Sequence, residues 1–189
     1  WERWEPLTQW SVIKFLLGGL RHTVEAAAVG MALAVVLGGG LALMRLSLTA
    51  PVRWLAAAWV EFFRGFPLLL LIFFTFFALP KYSVDLSPYQ ALVIALGLYN
   101  GAVLGEIFRA GIQSLDRGQT EAAYSLGLSY WRTMFLVVIP QAVRRMVPAI
   151  VGQLVTLLKD TSLGFVITYE ELLRRSRSTG EFFRNPLQA

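Results

Sequence analysis

Two long uncharged runs restrict this chain more than any other feature. Ala26 to Met44 (19 residues) and Leu86 to Gly105 (20 residues) contain no Asp, Glu, Lys or Arg. A helix needs roughly 20 apolar residues to cross about 30 Å of hydrocarbon. The lipid core admits only structures whose backbone hydrogen bonds close internally. Two such runs within 189 residues therefore predict an all-α membrane protein. The composition agrees: 56% of residues are hydrophobic and 15% charged, against about 25% charged in soluble proteins. With no Cys in the chain, a disulfide-stapled fold, a thiol nucleophile and a cysteine zinc site are excluded.

The formal charge of +5 in a soluble domain would suggest a nucleic-acid partner. Here the basic residues sit mostly at the ends of apolar segments, where they orient spans, and no nucleic-acid partner is expected. The chain opens on Trp1-Glu2-Arg3 with no initiator Met or signal-peptide pattern, and reads as a piece of a longer sequence.

Four spans are predicted. Trp1 to Gln9 reads as an interfacial lead-in. A helical pattern then starts at Thr8 or Gln9, with Lys14, Arg21, His22 and Glu25 near water, and the first span runs from Ala26 to Met44. The second, Trp54 to Leu79, is interrupted by Glu61-Phe62-Phe63-Arg64-Gly65-Phe66-Pro67. The third covers Tyr89 to Phe108, and the fourth Val137 to Leu158, bent by Pro140 and anchored by Arg144 and Arg145. Leu163 to Tyr169 is too short to cross and reads as a re-entrant or interfacial element, followed by a polar tail from Glu170. Loops 45–53 and 109–145 hold seven Arg against one Lys in loop 81–88, which places the Arg-rich loops in the cytoplasm.

Within loop 116–140, Gln119 to Gly127 reads as a short helix stopped by its glycine, and Ser129 as the N-cap of a second. The run Gly38-Gly39-Gly40 marks a place where backbones approach closely. The intramembrane polar groups are the pathway candidates. Asn100 stands mid-span, suited to an interhelical hydrogen bond or to pathway lining. Gln153, Thr156 and Asp160 recur at helical spacing, with Lys159 adjacent. Glu61 and Arg64, and likewise Glu106 and Arg109, are three apart and share a helix face. The first pair reads either as snorkelling charges at a helix end or as a polar group at the mouth of a pathway. The lone His22 reads as an interface or core residue, and no phosphate-binding loop is present. A transport process driven by a nucleotide therefore needs a partner to hydrolyse it. An ATPase-independent channel or a non-transporting structural subunit are the competing classes.

Glu121-Ala122-Ala123, then Gly127, Val137, Ile139 and Pro140, resemble the EAA loop of bacterial ABC-importer permease subunits. Val137 and Ile139 replace the usual Ile and Leu and keep the apolar character. Glu61-Phe62-Phe63-Arg64-Gly65-Phe66-Pro67-Leu68-Leu69, Glu106-Ile107-Phe108-Arg109-Ala110-Gly111-Ile112 and Leu158-Lys159-Asp160-Thr161-Ser162-Leu163 resemble its polar amino-acid subfamily, the histidine/glutamine/glutamate type. The resemblance covers roughly residues 10–185. It implies the type I ABC-importer permease fold, a single domain over residues 1–189 with 116–140 as the coupling loop, and a bacterial inner-membrane location. Four of its five spans are present, the fifth expected beyond Phe182-Phe183-Arg184-Asn185-Pro186. It further implies a second permease subunit, identical or paralogous, two ATPase subunits carrying ATP and Mg, an extracytoplasmic substrate-binding protein, and an amino-acid substrate. Glu121, Ala122, Ala123 and Gly127 would then contact the ATPase. Asn100, Gln153, Thr156 and Asp160 would face the pathway, with Glu61, Arg64, Glu106, Arg109 and Lys159 supporting or gating it.

Overall fold

The computed structural model describes residues 8–183. The described chain is helical: α1 (Trp10–Arg45), α2 (Ala50–Gly65), α3 (Leu68–Phe73), α4 (Pro88–Gln113), α5 (Arg117–Ser125), α6 (Tyr130–Thr133), α7 (Ile139–Asp160) and α8 (Leu172–Phe182). Three segments are long and apolar enough to cross a membrane: Trp10–Arg45, Pro88–Gln113 and Tyr130–Ile167. The pair Ala50–Gly65 and Leu68–Tyr82, broken at Phe66-Pro67, makes a fourth if it acts as one span. The chain thus carries three to four candidate spans.

The near-water stretch before Ala26 and the first span form one helix, α1, rather than two parts. Nothing between Gln9 and Met44 breaks the pattern: Gly is the weakest helix former present, and there is no Pro. At 1.5 Å per residue the 36 residues of α1 rise about 54 Å, well beyond a bilayer core. Of the stretch Leu163 to Tyr169, Leu163 to Ile167 belongs to a 3₁₀ segment, Thr161–Ile167, that continues from α7, and the chain turns at Thr168. The polar tail contains a further helix, α8, which begins at a Glu171 carboxylate accepting from the Arg174 and Leu173 N–H groups. Arg184 to Pro186 and Trp1 to Leu7 lie outside the described residues.

Two short π-helical turns occur, Phe74–Ala78 and Met134–Val138. Each ends two residues before a proline, Pro80 and Pro140. A proline supplies no N–H to the carbonyl four residues back and crowds it with its ring. The preceding turn widens, and the helix continues. α7 then runs on through Pro148.

The described residues pack as two compact units. The first comprises residues up to Ala32, Pro67–Gly97 and those from Thr156 onward. Its core includes Ala26, Ile72, Leu92, Leu96, Leu157 and Ile167, all fully buried. The buried Thr75 hydroxyl is shared between the Ile72 and Ala91 carbonyls at 2.9 and 3.1 Å, holding the π-turn against α4. The segment after α7 is strapped along α1. The Tyr169 hydroxyl donates to the His22 carbonyl (2.9 Å), and the Leu172 N–H donates to Thr23 Oγ1 (3.1 Å). Arg175 donates to the Phe15 carbonyl (3.0 Å) while pairing with Glu170 (3.2 Å). Arg175 occupies the space that side chains at Gly18 and Gly19 would take. Burial pushes the Tyr169 phenol up to about 12, so it remains a neutral donor at physiological pH.

The second unit comprises Leu33–Phe66 and Leu98–Val155. Here α1 and α4 approach closely: a Cβ added at Gly38 would lie 2.9 Å from the Gly101 carbonyl oxygen and the Gly105 nitrogen. Gly39 and Gly40 face open space, so of the glycine run only Gly38 serves the close contact. Beside it, Leu41 of α1 packs with Ala56 and Val60 of α2, and Met44 covers the edge.

Candidate functional site

The loop between α4 and α7 is built as a capped platform. The Asp116 carboxylate accepts from the Gly118 N–H at 2.7 Å and starts α5. The helix ends with Gly127 at φ +77°. The Gly127 N–H bonds to the Tyr124 carbonyl (2.9 Å) and the Leu128 N–H to the Ala123 carbonyl (3.2 Å), the paired bonds of a Schellman ending. Ser129 stands at the start of α6, but its side chain makes no capping bond there. Its carbonyl accepts from the Thr133 N–H. Two side-chain links hold the platform: Gln141 to Gln119 at 3.1 Å, and Arg145 to the Ser114 carbonyl. Glu121, Ala122 and Gly127 are exposed while Ala123 is buried. Of the two small alanines, Ala122 therefore faces outward. Tyr124, Leu126, Tyr130 and Trp131 are exposed too, Leu126 by 82%, giving the platform an apolar patch flanked by the exposed charges Asp116, Arg117, Glu121 and Arg132.

At the adjoining helix ends a charged cluster forms. Glu106 holds Arg109 through one carboxylate oxygen, with Arg109 Nε at 2.8 Å, and faces Arg45 through the other at 3.5 Å. Arg109 also donates to Gln113 at 2.5 Å. All three charged side chains are largely covered, 18–25% exposed. Partly buried charges hold together in this way when each has a partner. Glu61 and Arg64 lie exposed on α2, and among the described residues no ion pair joins them.

Asn100, at the middle of α4, is completely buried, and Gln153 of α7 donates to its carbonyl oxygen at 2.5 Å. A fully buried amide needs such a partner, and the bond ties α4 to α7. Thr156 is exposed and Asp160 half-buried, both on the last turns of α7 and belonging to the other unit, while Lys159 is exposed. The pairs Asn100–Gln153 and Glu106–Arg109 are thus brought together.

Sequence reasoning missed Arg45 and Gln113 as members of the charged cluster, although Gln113 sits four residues from Arg109 on one helix face. It also missed the Arg145–Ser114 and Gln141–Gln119 links. These join residues 31 and 22 positions apart, and no local periodicity signals them.

A multi-span helical membrane component that exposes a capped loop helix has the character of a transport subunit. Residues 19–183 match the family described as binding-protein-dependent transport system inner membrane component. The chain belongs to that family: it is a multi-pass bacterial inner-membrane permease subunit of an ABC-type transport complex and is not itself an enzyme. It is 44% identical over 165 residues to the probable glutamine ABC transporter permease protein GlnP of Bacillus subtilis, covering 87% of this chain and 76% of that one. It is 38% identical to the glutamate transport system permease protein GluD of Corynebacterium glutamicum, over 99% of this chain and 70% of that one. A crystal structure of an amino acid ABC transporter with histidines superposes with a TM-score of 0.85 at 30% identity, covering 93% of this chain and 82% of that one. The inward-facing MetNI methionine ABC transporter shares the fold, with a TM-score of 0.76 at 17% identity over 93% and 84% of the two chains. The architecture is accordingly that of a type I ABC-importer permease.

Proposed function

We propose that this chain is the pathway-forming subunit of an ATP-driven importer of polar or charged amino acids, coupled to its ATPases through loop 116–140. The observation that carries the coupling is the Gly127-ended α5, which presents Glu121, Ala122, Tyr124 and Leu126 outward on a rigid platform. An apolar surface of this kind on a transport subunit suits a protein partner. Small Ala122 permits close approach, and Glu121 supplies a partner for a basic side chain. Closure of two ATP-loaded ATPases then pulls on the platform, and the Gln141–Gln119 and Arg145–Ser114 links carry the displacement into α7 and α4.

Four spans belong to this reading: α1, the broken pair α2–α3, α4 and α7, within a single permease domain over residues 1–189. A second permease, identical or paralogous, completes the pathway. The Tyr130–Ile167 span supports that partner, since its apolar window is only 17% buried against 61% for Pro88–Gln113. Gln153, Thr156 and Asp160 recur on α7 at helical spacing and supply polar groups for a zwitterion, with Asn100 behind Gln153. Lys159 supports them near the helix end. Glu106 and Arg109 act as gating charges, and Glu61 and Arg64 as supporting charges at the end of α2. An extracytoplasmic binding protein delivers the substrate. The named relatives suggest glutamine, glutamate and related amino acids as the first substrates to try.

The test is ATP-dependent uptake by the complex in reconstituted vesicles, competed by each amino acid in turn. Glu121→Ala and Gly127→Val should abolish uptake while the complex still assembles in the membrane. Unchanged uptake in both variants would sink the coupling assignment.

A further inference from the structure

The helix α2 does not fit the role of a simple transmembrane segment. Its 16 residues rise about 24 Å, short of the roughly 30 Å hydrocarbon core, and it carries three charges, Arg53, Glu61 and Arg64. It buries only Ala56 and Val60. The rest of its surface divides cleanly. Trp54, Leu55 and Phe62 are 72%, 65% and 59% exposed and fall together on the outer face at 100° per residue. Arg53 and Arg64 are eleven residues apart, three helical turns, and so lie on one flank beside the buried stripe, while Glu61 falls between Arg64 and Trp54, about 20° from Trp54, at the border of the apolar face. Arg53 is partly used, donating to the Ser47 carbonyl at 3.2 Å. Among the described residues, Arg64 makes no ion pair. An apolar face rich in Trp and Phe next to a basic flank is the pattern of a helix lying along the membrane surface.

We infer that α2 is the near-surface limb of the broken second span: it lies along the interface and binds anionic phospholipid of the cytoplasmic leaflet, while Leu68–Tyr82 enters the bilayer. Trp54, Leu55 and Phe62 enter the acyl region, and Arg53 and Arg64 hold the headgroup phosphates. Charge complementarity selects this occupant. Arg45, Arg109 and, at longer range, Arg64 all act on the single carboxylate of Glu106, so even with Glu61 counted positive charge is in excess at this end of the molecule. The cytoplasmic leaflet is the negative surface such charge meets. The guanidinium fork matches a phosphate better than an ammonium would.

The test uses the assembled transporter. It is purified and placed in nanodiscs of zwitterionic phosphatidylcholine alone or with phosphatidylglycerol, and retained lipid is counted by native mass spectrometry. The unaltered complex should retain phosphatidylglycerol in clear excess. Arg53→Gln/Arg64→Gln should weaken that retention roughly tenfold. Equal retention in the double variant overturns the proposal, as does loss of the bound lipid to competition by inorganic phosphate, which would point to a soluble anion. Because the chain has no Cys, a single Ala58→Cys on the outer face, with any cysteines of the partner subunits replaced, places the spin label on α2 alone, and its depth gives a readout independent of the double variant's folding. A label about 5–10 Å below the headgroups supports the proposal. A label at the bilayer centre, or in bulk water, defeats it.

Discussion

At the scale of single residues, two positions do work that no neighbour can take over. Gly127 sits at φ +77°, where an L-residue with a branched side chain meets its own backbone. With open space around it, the demand is conformational rather than steric. Gly127→Asn should keep most uptake and Gly127→Ala less. Gly127→Val should lose nearly all, following a cost of about 1–2 kcal/mol or more for the left-handed conformation. Hydrogen exchange over residues 117–128 in the assembled complex should rise in the same order. The Asn100–Gln153 bond lends itself to a double-mutant cycle. Asn100→Leu removes the acceptor of the Gln153 amide and Gln153→Leu removes that donor from the buried Asn100 oxygen. The two together should cost less than the sum, by about 0.6–1.7 kcal/mol for an interhelical hydrogen bond, read as thermal stability in detergent. Additive losses would mean that each amide is held by other groups.

Among the elements, helix contacts turn on which glycine is where. Gly38→Leu would drive a side chain into the α4 backbone at Gly101 and Gly105. It should abolish or sharply reduce the yield of folded protein, while Gly39→Ala and Gly40→Ala should fold normally and gain a little helix propensity. Fluorescence size exclusion of the expressed proteins separates these outcomes. The same contrast shows what a sequence discloses. A glycine run in an apolar span signals close approach, but which of three glycines faces the neighbour depends on a crossing point set by distant residues. The Gly127 stop and the broken second span were legible because Gly and Pro act through local backbone geometry. The helix α8 was not, because its start depends on the Glu171 carboxylate closing over its own backbone, and its place depends on Arg175 reaching Phe15, 160 residues away.

For the whole molecule, the charge rule predicts that the two Arg-rich loops face the cytoplasm. Single cysteines placed one at a time in the Cys-free chain should report it through an impermeant thiol reagent. Positions at Ser47 and Asp116 should react only from the cytoplasmic side, and Lys81 and Ser178 only from outside. Reaction of Ser47 and Ser178 from the same face would refute the four-span arrangement. The membrane class and the family could be read from apolar run length and from the loop motif, since both are contained in contiguous sequence. Arg45's place beside Glu106 depends on how α1 and α4 cross, and a one-dimensional pattern carries no trace of that.

The π-turn Met134–Val138 joins the short helix α6 to α7. A turn of this kind carries one residue beyond α-helical winding, and is therefore a reserve of slack in an otherwise taut rod. Taking up that residue into regular α geometry would turn α7 about its own axis by about 100° relative to the loop, with a shift of only about 1.5 Å along it. The turn ahead of Pro140 thus has the geometry of a screw thread. Such a turn would change which residues of α7, Gln153 among them, face a given direction, and the Gln141–Gln119 and Arg145–Ser114 links would have to break first, so they stand as its catch.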